Sequence, residues 1–480
     1  MMAKYLLLFL LLFSLAKSIH ADSSVIIQVG GGNTISNSQG QIEDNVEWLS
    51  KILKKSSNTI KNYYAAGNTE EKDVAFFDDT DSTDLMQPLS RVFDFGDAHR
   101  LRFKINGVPE LSGSTRKDEL SKSILNLLNA TDKESEILIV FNGHGDLNED
   151  DVRYNTIKVW GDEKLDVGEV DGILDSAHAE SLIRFVFPQC YSGGFYHLIY
   201  EDPESNELAK QNRCGFFAES PYDQSEGCSL NTNKEEYRDY STYFFAPLNG
   251  ATRNGQELPV SVDINNDGSV SYRESHIYAL MVGESKDLSR SSSEMYLEEW
   301  TPWYLRWSSG NEDEKSIYWS IAEYLASKHD LGMDRQLLKN MKSEIQENIV
   351  NIKQLQQKTE ENIEEVSSSI KLDIKKYWPE LFHPYTLSYI STLNKDIETV
   401  SSYIQKHKDY PTLVSLQTDL TRFQGQELDY QRKKAQIDKI TRMKLLARLT
   451  NYFSIYATDK EVEEYSRLLA CENGVFFKNN

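Results

Sequence analysis

Ile137-Leu138-Ile139-Val140-Phe141-Asn142-Gly143-His144-Gly145-Asp146 and Phe185-Val186-Phe187-Pro188-Gln189-Cys190-Tyr191-Ser192-Gly193-Gly194 are two hydrophobic runs, and each stops at a reactive side chain followed by glycine. Each reads as a buried strand, the first leading to an imidazole and the second to a thiol. A thiol is a poor nucleophile until it is deprotonated, and a nearby imidazole does that at neutral pH. Two parallel strands ending side by side bring His144 and Cys190 together at the carboxyl edge of a sheet, where open α/β folds place their sites.

The flanking sequence alternates in the same way. Val25-Ile26-Ile27-Gln28-Val29 reads as a strand that runs into Gly30-Gly31-Gly32-Asn33. Ile42, Val46, Leu49, Ile52 and Leu53 then fall on one face of a helix. Val74 to Phe77 reads as a short strand, Leu120, Ile124, Leu127 and Leu128 as a helix, Gly168 to Ser181 as another, and Cys214 to Ala218 as a further strand. Alternation of this kind predicts an α/β fold with a mostly parallel sheet and helices on both faces. Only Arg184 breaks the second apolar run, so both runs fit central positions.

Beyond about residue 330 glycine nearly disappears and polar helix formers dominate. Ile345, Ile349, Ile352, Gln356, Thr359, Ile363, Val366 and Ile370 alternate four- and three-residue steps, the seam of a coiled coil or a packed helical hairpin. Pro379 and Pro384 mark a break, and a second helical stretch runs from Leu393 towards Leu446 with an interruption near Pro411. A chain of 480 residues exceeds one ordinary core. The expected division is a catalytic α/β domain over 22–330 and an all-α C-terminal region over 331–480.

The net charge of −23 argues against nucleic acid as a partner, because phosphate binding needs a basic face. Lys4 followed by the apolar run Tyr5 to Phe13 and a more polar stretch ending at Ala21 has the layout of a secretory signal peptide over 1–21. No later stretch is long enough to span a bilayer. The expected protein is therefore exported, secreted or periplasmic or lumenal, with no membrane span once the signal is removed. Of the four cysteines, Cys214 and Cys228 are close enough in sequence to pair, whereas Cys190 reads as a free thiol. Gly145 lets a carbonyl approach the backbone, and its N–H with that of Cys190 forms a candidate oxyanion hole.

The blocks Asn142-Gly143-His144-Gly145-Asp146 and Gln189-Cys190-Tyr191-Ser192-Gly193-Gly194 resemble the His-Gly and Cys blocks of the caspase–legumain–gingipain cysteine peptidases, nearest to legumain. The resemblance covers about residues 24–310. It implies a caspase-like fold and an endopeptidase with a His144/Cys190 dyad acting on a peptide or protein substrate. Gly31-Gly32-Asn33 resembles the place where legumains carry an asparagine that orients the histidine, which assigns that role to Asn33. Ala218-Glu219-Ser220 and Arg238-Asp239-Tyr240-Ser241 resemble blocks that shape the specificity pocket. Asp239 or Glu219 would make that pocket acidic; the competing reading is a pair of solvated surface carboxylates. Pro188 stands where the family carries Gln or Glu, so specificity does not carry over. Legumains also carry a helical prosegment, and residues 331–480 are by analogy a cap, a self-association element or both.

Asp263-Ile264-Asn265-Asn266-Asp267-Gly268-Ser269-Val270-Ser271-Tyr272-Arg273-Glu274 matches the EF-hand loop pattern. Asp263, Asn265, Asp267, Ser269, Ser271 and Glu274 are the expected Ca²⁺ ligands, Ser269 through its carbonyl and Glu274 with both carboxylate oxygens. The preceding residues read as extended and no second loop is evident, which predicts a brace for the enzyme domain. The alternative function is an inactive calcium-binding scaffold that engages a partner through its helical region.

Overall fold

The computed structural model describes residues 24–54, 59–78, 84–93, 96–133, 135–306 and 312–476. Residues 1–21, where a signal peptide is expected, lie outside the described residues. Twelve strands form three sheets: β1 (Ser24–Gly31), β2 (Thr59–Tyr64), β3 (Val74–Phe77), β4 (Leu101–Lys104), β5 (Leu111–Gly113), β6 (Glu136–Gly143), β7 (Gly145–Asp146), β8 (Thr156–Val159), β9 (Glu163–Asp166), β10 (Leu182–Phe187), β11 (Asn212–Phe217) and β12 (Arg290–Ser291). The main sheet has the order β12-β11-β10-β6-β1-β2-β5, with only β12 antiparallel. The fold is α/β, with this mostly parallel sheet followed by a long helical region, as the alternation predicts.

The two apolar runs occupy the neighbouring positions β6 and β10. Their side chains alternate between the two faces of the sheet, as the pleat requires. Ile137, Ile139, Phe141, Ile183, Phe185 and Phe187 enter one core, while Leu138, Val140 and Val186 enter the other. The first core is covered by α2 (Lys117–Asn129) and α3 (Val167–Leu174), the second by α1 (Gly40–Leu53) and α4 (Tyr272–Val282). Two expected elements differ. The helix expected over 168–181 stops at Leu174, and β3 pairs with β4 in a separate hairpin instead of joining the main sheet.

Arg184, the polar residue in the second run, is 3% exposed. Its guanidinium donates to Glu136 Oε2 at 3.0 Å and to the Cys471 carbonyl at 2.8 Å, and stacks 4.8 Å from the Tyr272 ring. A buried charge needs such partners, and here one of them belongs to the end of the chain.

The helical region contains α7 (Arg335–Tyr377), α8 (Leu387–Gln405), α9 (Tyr410–Tyr456) and α10 (Asp459–Glu472), following α5 (Ser292–Trp300) and α6 (Ile317–Lys328). α7 and α9 lie alongside each other as a long hairpin. Ile349, Ile363 and Ile370 of the predicted seam are buried. Its two polar members find partners: Gln356 Nε2 donates to Glu427 Oε2 at 3.0 Å, and Thr359 Oγ1 to the Leu355 carbonyl at 2.8 Å. Pro379 opens a short turn, and Pro411 sits in the first turn of α9, where its missing N–H costs nothing.

The helices then return to the sheet. Phe453, Leu468 and Cys471 belong to the same core as β6 and β10, and Phe476 to the opposite one. Cys471 forms a disulfide with Cys214 of β11 across 257 residues, with a Cα–Cα distance of 6.0 Å. The pairing of Cys214 with Cys228 is thus not formed, and Cys190 and Cys228 are the free cysteines. Nearness in sequence was a poor guide because β11 carries Cys214 into the core, away from the loop that holds Cys228.

Candidate active site

β6 and β10 pair from Leu182 with Glu136 to Val186 with Val140, a constant offset of 46 residues. The same 46 residues separate Cys190 from His144, each four residues past the last position at which the two strands pair. Both line one cavity of about 640 Å³.

The imidazole is fixed through one nitrogen. His144 Nε2 lies 2.7 Å from the Asn37 carbonyl oxygen and 2.7 Å from Gln39 Oε1. Both partners are acceptors, so Nε2 carries the proton and Nδ1 keeps its lone pair. Asn33 does not touch the ring among the hydrogen bonds of the described residues. Its Oδ1 accepts from Asn37 Nδ2, its Nδ2 donates to Asp162 Oδ1 at 2.6 Å, and its carbonyl accepts from the N–H groups of Gly161 and Asp162. It holds the segment whose carbonyl holds the histidine, one step further from the ring than expected.

The thiol sits on a sharp turn. Tyr191, the next residue, has φ 57° and ψ 20°, a left-handed conformation costing about 1–3 kcal/mol for a non-glycine residue. The turn is pinned by Tyr191 N–H donating to the Asp223 carbonyl at 2.9 Å, and by Asn155 Nδ2 donating to the Tyr191 and Pro221 carbonyls at 3.0 and 2.9 Å. Cys190 Sγ lies 3.7 Å from the Ser225 carbonyl oxygen and 3.8 Å from Ser225 Oγ, and Ser225 Oγ also donates to the Pro188 carbonyl at 3.0 Å.

Gly145 lies directly against this turn: a Cβ added there would be 2.1 Å from the Cys190 carbonyl oxygen. Any side chain would push the two strand ends apart. Lys158 N–H donates to the His144 carbonyl at 2.8 Å, which makes Gly145 and Ile157 a non-hydrogen-bonded pair of the β7–β8 ladder. The ladder therefore leaves the Gly145 N–H unused, as an oxyanion donor requires.

Burial pushes the Cys190 thiol up, with the Ser225 contacts opposing it, and burial also lowers His144 despite the bond to Asn37. Both directions favour a neutral thiol beside a neutral imidazole at rest, not an ion pair.

Neither Asp239 nor Glu219 is a solvated surface carboxylate. Asp239 is 1% exposed and accepts from Gln41, Asn45 and Thr242, while Glu219 is 3% exposed and accepts from the N–H groups of Ser220 and Leu288. Asp239 is a buried anchor that lines neither cavity, whereas Glu219, also buried, lines a second cavity that shares Gln224 and Lys286 with the one holding His144 and Cys190. The carboxylates on the cavity wall are Glu226 and Glu236, alongside Arg238, Lys286 and Arg432. Arg432 and Leu428 come from α9, and Arg432 grips Glu226 with Nη2 to Oε1 at 2.7 Å and Nε to Oε2 at 3.4 Å. Asn37, Gln39, Ser225 and Arg432 carry no sequence signal of their own; the register of β6 and β10 is the one feature of the site that spacing could have supplied.

At the loop 263–274, Gly268 has φ 82°, the turn that the sixth loop position needs. Asp263 accepts from the N–H groups of Asp267 and Gly268 at 3.1 and 2.9 Å. Glu274 is buried and accepts from Ile264 N–H at 2.9 Å and from Ser271 N–H and Oγ at 2.9 and 2.8 Å. No cluster of three acidic, His or Cys side chains faces a common point among the described residues. The loop pairs with the end of the chain: Phe476 N–H donates to the Val270 carbonyl at 3.4 Å, and Tyr272 N–H to the Gly474 carbonyl at 3.0 Å. No helix of the described residues is long and apolar enough to cross a membrane.

No family model matches the chain, and no curated protein matches it. Among solved structures it is similar to the crystal structure of protein GSU0716 from Geobacter sulfurreducens, at 8% identity and a TM-score of 0.32, covering 56% of this chain and 92% of that one. A likeness at that level carries no argument about fold or function.

Proposed function

We propose that the protein is an exported cysteine endopeptidase of the caspase–legumain type, with His144 as the base and Cys190 as the nucleophile. The observation that carries this reading is the shared register. Two adjacent parallel strands deliver an imidazole with a free Nδ1 lone pair and an unpaired thiol to one cavity. Nδ1 takes the thiol proton as Sγ attacks a peptide carbonyl, the N–H groups of Gly145 and Cys190 receive the oxyanion, and the imidazolium returns the proton to the leaving amine. Water then resolves the acyl-thioester. Asn33 acts as a positioning residue through Asn37. α9 forms one wall of the cavity and serves as a built-in cap, which favours this role over a free partner-binding module.

The deciding experiment compares wild type with Cys190→Ala on a peptide library and an electrophilic peptide probe. Cleavage and labelling should both vanish in the variant; undiminished cleavage ends the proposal.

The loop 263–274 is proposed as a Ca²⁺ site. Its oxygen donors have the right chemistry and its backbone winds around Asp263. Glu274 is the last ligand, released from the N–H groups it now caps. Titration calorimetry should show calcium uptake and a raised melting temperature, both lost in Asp263→Ala. Heat and melting curves unaffected by millimolar calcium would refute the site.

A further inference from the structure

We propose that Cys190 and Cys228 form a reversible disulfide across the mouth of the cavity. Both line the same cavity and both are free. Cys190 Sγ contacts Ser225, three residues before Cys228, and Cys228 Sγ lies 4.0 Å from the carbonyl oxygen of Gly143, the residue before His144. Cys190 Sγ thus touches the loop that carries Cys228, and Cys228 Sγ touches the residue before His144. Burial, and after it the interaction with Cys190, push the Cys228 thiol up. The other cysteines do not compete. Cys214 is paired with Cys471, and in the sheet it lies opposite Arg184, six residues or about 20 Å of strand before Cys190.

The chemistry is thiol–disulfide exchange with a low-molecular-weight disulfide such as glutathione disulfide. The Cys228 sulfur, as the thiolate that forms once the pH rises high enough to overcome the effect of burial, attacks one sulfur of the reagent and expels one equivalent of thiolate. The mixed disulfide formed on Cys228 is then attacked by the Cys190 thiolate, which expels the second equivalent. The protein loses two hydrogens and two electrons, the reagent gains them, and excess thiol reverses both steps. A Cys190 sulfur held in this bond is no longer a thiol or thiolate and cannot attack a carbonyl. That consequence rests on the peptidase reading, whereas the bond itself does not.

The test incubates the full-length protein with glutathione disulfide, quenches by alkylation and maps peptides by mass without reduction. The expected product is a cross-link between the Cys190 and Cys228 peptides, reversed by dithiothreitol. Cys228→Ser treated the same way should carry glutathione on Cys190 and no cross-link. Wild type bearing two separate glutathione adducts, or unmodified thiols, overturns the proposal. Because the readout is a mass, an inactive peptidase with an intact cross-link refutes only the functional reading.

Discussion

At the scale of single residues, the site is organised by what each side chain is denied. His144 Nε2 is occupied by the Asn37 carbonyl and Gln39, so only Nδ1 is left as a base. Burial holds Cys190 above the ordinary thiol value of 9.0 and His144 below 6.5. A raised thiol stays protonated until the pH passes that value, and a lowered imidazole stays neutral until the pH falls below 6.5. The alkylation rate of Cys190 by iodoacetamide should therefore still be climbing at pH 9. A plateau already reached at neutral pH would show a resting ion pair instead. His144, Gly145 and Cys190 were legible because each follows an apolar run. Asn37, Gln39 and Ser225 were not, because they act from irregular loops through backbone carbonyls or single amide and hydroxyl groups that no periodicity marks.

At the scale of elements, α9 is tied to the sheet-bearing half by buried ions. Arg442 donates to Glu294 Oε2 and Glu298 Oε1, both at 2.8 Å, and Glu294 also meets His276 at 3.3 Å. Burial alone would raise the Glu294 carboxyl, but Arg442 and His276 outweigh it and hold it at about 2. A depressed carboxylate contributes stability that is fully present above its unfolded value and is lost as the pH falls through the folded one. Melting temperature should therefore drop between about pH 4.5 and 2. Glu294→Gln should flatten that acid limb while lowering stability at neutral pH, since Arg442 then loses its buried counter-charge. An acid limb equally steep in the variant would place the titration elsewhere. The long helices themselves were readable from their stripe of isoleucines. Their docking was not, because Arg442 and Glu294 are 148 residues apart and look like ordinary surface charges in the sequence.

At the scale of the whole molecule, the boundary near residue 330 separates two compositions but not two cores. Phe453 is 5% exposed, packs 4.8 Å from Trp300 and 4.9 Å from Tyr465, and shares its core with β6 and β10. Phe453→Ala should cost about 3–5 kcal/mol in denaturant unfolding, whereas Leu372→Ala, at a position 66% exposed, should stay within about 0.5 kcal/mol. Equal effects would restore the picture of an independent helical domain. The α/β class and the central, neighbouring positions of β6 and β10 followed from apolar runs and glycines. The closure by the last helix did not, since a short amphipathic stretch such as Asp459–Glu472 does not say which surface its apolar face will cover.

That closure fixes when the chain can finish folding. Residues are synthesised in order, yet Arg184 waits for the Cys471 carbonyl, Cys214 for the Cys471 sulfur, Ser292 and Ser293 for the Glu472 carboxylate, and Val270 for Phe476. Until residues 468–476 emerge, one edge of each core stands open and several buried polar groups lack their partners. Contacts of such long sequence separation form slowly and leave partly folded chains prone to aggregate. Nascent chains stalled before Leu468 should therefore remain protease-sensitive throughout, the sheet included, however complete its strands already are.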